Sequence, residues 1–149
     1  MELEKETRTS RFESVYQMAM VNVIFTYGWC NDQLKQVMIP YDITTQQFNI
    51  LRILRGQHPN PSTINLLKAR MLDKMCDASR IVERLVQKGY VKKTVSSKDK
   101  RAVDILITKK GLSLLKRIDE EVDLSGMVSP NLTEEEARHL NQLLDKMRG

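Results

Sequence analysis

The amino-acid sequence predicts a mainly α-helical domain that carries one small β-hairpin, so the fold class is α+β. Two observations support this prediction. Apolar residues recur at helical spacing over most of the chain, and the region 90–107 places β-branched residues on both sides of a short cationic turn. A chain of 149 residues can bury one hydrophobic core, so we expect a single domain over residues 1–149.

The composition argues against several classes of protein. Cys30 and Cys76 lie far apart, and neither they nor His58 and His139 show metal-binding spacing. No glycine-rich phosphate loop, GxSxG motif or paired-carboxylate arrangement stands out. We therefore expect no metal, no cofactor, no catalytic residues and no enzymatic activity. A charged N-terminus and the lack of an apolar run of about 20 residues predict a cytoplasmic protein that makes no contact with membranes.

Residues 10–38 are predicted to form the first long helix. The segment lacks proline, and its apolar residues crowd more than one side of the helix. Such a helix must be covered on several sides, which favours a partner helix from a second chain. Pro40 marks its end.

The next predicted helix spans residues 44–56. Thr44 and Gln47 have the spacing of a capping box, and Gly56 is expected to close the helix. A proline-rich turn at 58–61 follows. The apolar face of this helix consists of Phe48, Leu51 and Leu54.

A helix-turn-helix is predicted over about 62–88. Ser62 is a candidate N-cap for a short first helix, a turn surrounds residues 72–74, and a second helix over about 75–88 stops at Gly89. One side of the second helix is apolar. Its other side mixes arginine with short polar groups, which suits contacts to phosphates and base edges. The residues on that side are Cys76, Asp77, Ser79, Arg80, Glu83, Arg84 and Gln87.

A β-hairpin over about 90–107 follows directly and is predicted to act as a wing. Its tip, residues 96–101, is polar and cationic. Asp99 is expected to organise the tip by bonding backbone N–H groups or by orienting Arg101, which could then enter a minor groove. Thr108 can cap the next helix. A flexible, solvated hairpin without a ligand is the alternative.

Positive charge is concentrated in the middle of the chain. Residues 68–101 carry eleven basic and four acidic side chains, whereas residues 118–149 carry three and eight. A localised positive patch is typical of proteins that bind nucleic acids. A solvated lysine-rich face would show the same pattern, so charge alone leaves both interpretations open.

Residues 129–149 predict a final helix. Little apolar surface of the same chain is expected to remain for this helix to pack against. Thr133 and Glu136 form a second capping box. Residues 112–147 and 10–38 are therefore predicted to pair across a two-fold axis in a homodimer, which would place two recognition helices about 34 Å apart. The apolar stripe of the last helix contains Leu140, Leu143, Leu144 and Met147.

Three stretches carry a resemblance to a known family: TTQQFNILRIL, DASRIVERLVQKGYVKK and DKRAVDILITKKG. With a long helix at each end, the chain resembles the MarR family of winged helix-turn-helix regulators over residues 10–147. The resemblance implies a winged helix-turn-helix over 44–108 and a homodimeric transcriptional regulator, with repression favoured, on a pseudo-palindromic double-stranded DNA operator. It also implies a small aromatic or anionic effector in a crevice between the dimerisation and DNA-binding parts.

By position, the resemblance assigns DNA contacts to Ser79, Arg80 and Arg101 and gives Asp99 the role of holding Arg101. Lys100, Met75 and Cys76 depart from the family pattern, since arginine and small hydroxyl residues are frequent there. The candidate effector pocket comprises Tyr16, Tyr27, Trp29 and Phe48. Core packing is the alternative role for these aromatic side chains, and it is the more common one for aromatic residues on helices. The full set of candidate DNA-binding residues is Ser62, Lys74, Met75, Cys76, Asp77, Ser79, Arg80, Arg84, Lys98, Lys100 and Arg101.

Two other functions remain open. A winged helix can serve as a protein-interaction module, or as an architectural DNA binder without an effector. A redox-sensing regulator would use Cys30 or Cys76, and the positive charge of Lys74 predicts a stabilised thiolate at Cys76. Free cysteine is more often a small buried apolar residue.

Overall fold

The computed structural model of the protein describes residues 2–8 and 11–149. Two short 3-10 turns lie at Ile39–Tyr41 and Ser125–Met127. The expected helical fold with one hairpin is confirmed, and no helix in the described ranges is long and apolar enough to cross a membrane. The elements are α1 (Leu3–Thr7), α2 (Val15–Met38), α3 (Thr45–Gln57), α4 (Ile64–Arg70), α5 (Ala78–Gln87), β1 (Val91–Val95), β2 (Val103–Ile107), α6 (Lys109–Glu121) and α7 (Glu134–Arg148).

Helix α2 begins later than the sequence predicts. Ser14 caps it by accepting a hydrogen bond from the Gln17 backbone N–H at 3.1 Å. Ser10, the predicted first residue, lies outside the described residues. The helix ends at Met38, and Pro40 lies in the 3-10 turn that follows. Large apolar side chains of α2 are exposed in the single chain: Val15, Tyr16, Met20, Val23, Ile24 and Tyr27.

Helix α3 lies at the centre of the core and carries the predicted capping box. The Thr44 hydroxyl accepts from the Gln47 backbone N–H at 3.0 Å, and the Gln47 side chain accepts from the Thr44 N–H at 3.1 Å. The helix extends to Gln57, so Gly56 lies within it and does not close it. Buried core residues come from α3, α4, α5, the hairpin and α6: Ile50, Leu51, Leu54, Leu67, Val82, Leu85, Ile105, Leu115 and Ile118.

Ser62 does not cap α4 as predicted. Thr63 does, by accepting a hydrogen bond from the Leu66 N–H at 3.1 Å. The backbone of Ser62 instead pairs with that of Ile105 through two 2.8 Å hydrogen bonds. This pairing turns the Ser62 side chain into the interior, where it is 1% exposed. It therefore lies away from any surface that could contact DNA.

Helix α5 begins at Ala78, three residues later than predicted. The Asp77 carboxylate caps it by accepting from the Arg80 N–H at 3.1 Å, so Met75 and Cys76 precede the helix and do not open it. After the helix, Gly89 has a φ of 79°, the left-handed conformation that commonly ends a helix. The predicted helix-turn-helix is present, formed by α4, a turn and α5.

The hairpin pairs β1 with β2 in antiparallel register, from Val91 opposite Ile107 to Val95 opposite Val103. Each strand begins one residue later than predicted. Ile105 and Ile107 are buried against the core, whereas Val103 is 43% exposed. The apolar side of β2 therefore reaches solvent only at Val103, where the hairpin projects away from the core.

Helix α6 packs against the core and is tied to the turn that follows α2. Thr108 caps it as predicted. The Tyr41 hydroxyl donates to the Glu121 carboxylate at 2.7 Å, and this bond raises the pKa of the Tyr41 phenol above its ordinary value. Residues Leu114, Leu115 and Ile118 of α6 are buried within the chain. The first part of the predicted dimerisation range 112–147 therefore packs against the core of its own chain.

Helix α7 opens with the second predicted capping box. The Glu136 carboxylate accepts from the Thr133 backbone N–H at 2.8 Å, which lowers the pKa of the Glu136 carboxyl. No residue of α7 is buried in the single chain. Three large apolar side chains of α7 are exposed: Leu140, Leu143 and Met147. Together with the exposed apolar side chains of α2, they form a surface that a second chain can cover.

Candidate DNA-binding surface

Helix α5 has the two faces expected of a recognition helix. Its apolar face, with Ala78, Val82 and Leu85, is buried against the core. Arg80 and Arg84 lie one turn apart on the exposed side, where they also line a cleft of about 910 Å³ between α5, the end of α2 and the start of α3. Guanidinium groups so spaced can contact phosphates or guanine edges. The exposed side chains of α5 are Ser79, Arg80, Glu83, Arg84 and Gln87.

A turn of residues 71–77, held by hydrogen bonds, leads into α5. The Met75 backbone N–H donates to the Asp73 carboxylate at 3.0 Å, and the Lys74 ammonium donates to the Ala69 carbonyl at 2.5 Å. The side chain of Met75 makes no such contact and is 94% exposed. The polar groups of the turn therefore fix its shape and leave a large apolar side chain in solvent.

Cys76 lies at the end of this turn, and the predicted stabilisation of its thiolate is wrong. The pKa of the Cys76 thiol is raised, first because the thiol is partly buried and second because the Asp73 carboxylate lies near it. The Lys74 ammonium lowers this pKa, but its effect is smaller than either of those. The thiol is therefore protonated at neutral pH.

The tip of the wing is organised by Asp99, in one of the two ways expected from the sequence. The Asp99 carboxylate accepts from the Arg101 backbone N–H at 2.9 Å, and its carbonyl accepts from the Ala102 N–H at 3.0 Å. The Ser96 hydroxyl accepts from the Lys98 N–H at 3.2 Å. Among the described residues, no carboxylate forms an ion pair with the exposed cations of the tip: Lys98, Lys100 and Arg101.

An ion pair joins the wing to the recognition helix. The Lys93 ammonium of β1 lies 2.6 Å from the Glu83 carboxylate of α5. Sequence reasoning placed Glu83 on the exposed face of the helix but missed this pairing. The two residues are ten positions apart, and they meet only because the hairpin folds back along the helix. We call this pair the helix–wing pair.

The other end of α5 is fixed by contacts from the start of α6. The Lys110 ammonium donates to the Lys88 carbonyl at 2.8 Å and lies 4.8 Å from the centre of the Tyr90 ring. The Thr108 hydroxyl donates to the Gly89 carbonyl at 2.7 Å. A cation at the C-terminus of a helix is also favoured by the helix dipole. These contacts hold the junction between α5 and the wing.

A largely apolar crevice of about 760 Å³ lies between α2, α3 and the turn before α5. Two of the four residues predicted for an effector pocket, Tyr27 and Phe48, line it. The guanidinium of Arg52, which sequence reasoning missed, lies 5.6 Å from the centre of the Phe48 ring. Asn49 also lines the crevice, and its side chain accepts from the Leu72 backbone N–H at 3.0 Å. A residue that lines the crevice is thus hydrogen-bonded directly to the turn that precedes the recognition helix.

The other two aromatic residues predicted for this pocket lie elsewhere on α2. Tyr16 is 83% exposed, and Trp29 lines a separate small cavity with Leu3. Helical spacing could not separate them from Tyr27, because α2 is apolar on several sides. Within the described ranges, no group of histidine, cysteine and carboxylate residues has the geometry to hold a metal ion.

The recognition helix and the cationic wing beside it define a winged helix-turn-helix protein. The MarR family model matches residues 43–103 of the chain, from the start of α3 into β2. The protein belongs to the MarR family of winged-helix transcriptional regulators.

Two curated relatives and one solved structure show the extent of the similarity. The transcriptional regulator PecS of Dickeya dadantii is 31% identical over 76% of this chain and 70% of its own length. The multiple antibiotic resistance protein MarR of Escherichia coli is 31% identical over 76% of this chain and 79% of its own length. The crystal structure of a cysteine-to-serine variant of E. coli MarR complexed with operator DNA matches with a TM-score of 0.74 and 26% identity, covering 98% of both chains.

Proposed function

We propose that the protein is a homodimeric transcriptional regulator that binds a pseudo-palindromic operator with α5 in the major groove and the wing in the adjacent minor groove. The observation that carries this proposal is the helix–wing pair of Glu83 and Lys93. It joins a helix with exposed arginine residues to a hairpin whose tip cations have no ion-pair partner among the described residues. A protein-docking module would have no need for both cationic elements.

The structure supports distinct roles for the predicted contact residues. Ser79, Arg80 and Arg84 are exposed on α5 and would read bases or bind phosphates. Arg101 would enter the minor groove, with its backbone held by Asp99. Lys98 and Lys100 would contact phosphates, as would Lys74. Asp77 has an indirect role as the cap of α5, and the buried Ser62 is excluded from the contact set.

We propose that the dimer forms through α2 and α7. These two helices leave apolar side chains exposed in one chain, and a second copy related by a two-fold axis would bury both sets. The apolar part of α6 already belongs to the core of the monomer. Within the predicted dimerisation range 112–147, the dimer interface would therefore be formed chiefly by α7.

The crevice between α2 and α3 is the proposed site for a small aromatic, anionic effector. Tyr27 and Phe48 offer aromatic surface, and Arg52 offers a cation at the same site. The bond between Asn49 and Leu72 gives a bound effector a route to shift the turn before α5. We propose a cytoplasmic repressor, because an operator-bound dimer can exclude the polymerase from a promoter.

Selection from a random pool of duplex DNA at about 150 mM salt tests the proposal. We expect recovery of a pseudo-palindrome whose half-sites lie one helical turn apart. Removing several candidate phosphate contacts should flatten the dependence of log Kd on log salt. The variant Lys98→Ala/Lys100→Ala serves for this comparison, because neither lysine forms an ion pair with another described residue. Sequence-blind binding would instead indicate an architectural DNA binder, and no binding would favour a protein-docking module.

A further inference from the structure

We infer that Met75 reads thymine methyl groups in the major groove and so determines part of the operator sequence. This inference rests on the proposed function. With 94% of its surface exposed, Met75 is the most exposed of the large apolar side chains in the described part of the protein. Charged residues flank it in the sequence, namely Asp73, Lys74 and Asp77, and Leu72 of the same turn is exposed as well. An apolar side chain of this size gains free energy only when another surface covers it.

The position of Met75 identifies that surface. It lies two residues before Asp77, the N-cap of α5, and the N-terminal part of a recognition helix is the part that meets base edges in a helix-turn-helix complex. Two hydrogen bonds hold the turn around it, since Asp73 accepts the Met75 N–H and the Lys74 ammonium donates to the Ala69 carbonyl. The side chain is thus presented from a fixed backbone.

The chemistry of the groove selects the base. A thioether cannot donate to phosphate oxygens, so Met75 gains little from the DNA backbone. Among the features that base edges present in the major groove, only the C5-methyl group of thymine is apolar. Contact between the two would bury roughly one methyl group on the DNA, which corresponds to about fourfold in affinity. Lys74 and Arg80 on either side would bind phosphates and hold the helix in register.

The test removes the methyl group alone. The operator selected by the wild-type protein is synthesised with each thymine replaced in turn by deoxyuridine, and Kd is measured for the wild type and for Met75→Ala. We expect the wild type to lose about fourfold in affinity at one symmetry-related pair of positions and Met75→Ala to lose none there. Met75→Leu, which keeps the apolar bulk, should retain the preference for thymine.

Arg101→Ala provides a control on the wing. It should weaken binding to every duplex while keeping the thymine-to-uracil ratio, because the methyl group lies in the other groove. If Met75→Ala responds to deoxyuridine as the wild type does, or if no thymine substitution weakens the wild type, the inference is wrong while the proposed function stands. If the wild type selects no operator at all, both are overturned.

Discussion

The Lys93 ammonium lies 2.6 Å from the Glu83 carboxylate, so the first strand of the wing is joined to the exposed side of the recognition helix. Both side chains are half-exposed, and a pair of this kind stabilises a fold by less than about 1 kcal/mol. Its value is geometric. It favours one orientation of the wing relative to the helix, alongside the buried hairpin residues Val91, Ile105 and Ile107, and the proposed operator complex needs both elements in their grooves at once.

Exchanging the two charges separates this geometric role from simple electrostatics. Lys93→Glu breaks the pair and sets two carboxylates together near the DNA, so we expect affinity to fall by roughly tenfold or more. Adding Glu83→Lys restores the net charge and allows the pair to form in reverse, which should recover most of the loss. Fluorescence anisotropy with labelled operator measures Lys93→Glu, Glu83→Lys and the double variant. Affinities of the double variant equal to the product of the single effects would show that the pair does not couple the elements.

Asp99 allows a prediction in which structure and charge have opposite effects. Its carboxylate accepts the Arg101 N–H at 2.9 Å, and Asp99→Ala removes this bond together with a negative charge. Loss of the negative charge alone would strengthen DNA binding. We expect weaker binding instead, by about two- to tenfold, since losing one such bond costs roughly 0.5–1.5 kcal/mol.

Asp99→Asn is the matched variant, because it also removes the charge but keeps an acceptor oxygen for the turn. It should bind at least as well as the wild type. Equal gains in affinity for Asp99→Ala and Asp99→Asn would show that Asp99 acts only through its charge.

Ser62 and Thr63 are neighbours with opposite expected effects on stability. The Ser62 hydroxyl is buried and has no hydrogen-bond partner in the described structure, so Ser62→Ala should leave the free energy of unfolding unchanged or raise it by up to about 1 kcal/mol. Thr63→Ala removes the cap of α4 and should lower it by about 1 kcal/mol. Urea unfolding at a fixed protein concentration measures both values. A loss on Ser62→Ala as large as that on Thr63→Ala would contradict the assignment of the cap.

This pair of residues also shows where sequence reasoning succeeds and where it stops. Capping boxes at Thr44 and Thr133 are local, so the spacing alone identified them correctly. Ser62 and Thr63 are both good caps by type, and the choice between them depends on the pairing of Ser62 with Ile105, which lies 43 residues away. A local pattern carries no information about that pairing.

The candidate site divides in the same way. The amphipathic pattern identified the exposed face of α5, and the chemistry of aspartate in turns identified Asp99. The helix–wing pair and the place of Arg52 in the crevice depend on how separate elements pack. The predicted start of α5 was three residues too early. The prediction placed Asp77 on the exposed face of the helix, whereas the structure shows that Asp77 is its N-cap.

Cys76 gives the last prediction, on redox sensing. Partial burial and the nearby Asp73 carboxylate raise the pKa of this thiol, so the reactive thiolate is scarce at neutral pH. We expect peroxide to leave operator affinity unchanged within about twofold. Oxidation of a cysteine at a DNA interface to a charged acid would lower the affinity by far more than twofold. Iodoacetamide labelling of Cys76 should be slow at pH 7 and should accelerate only above the pH at which an ordinary cysteine does. Cys30→Ser, which leaves Cys76 as the single thiol, makes both measurements specific. Loss of binding in that variant, reversed by a reductant, would make Cys76 a redox switch despite its raised pKa.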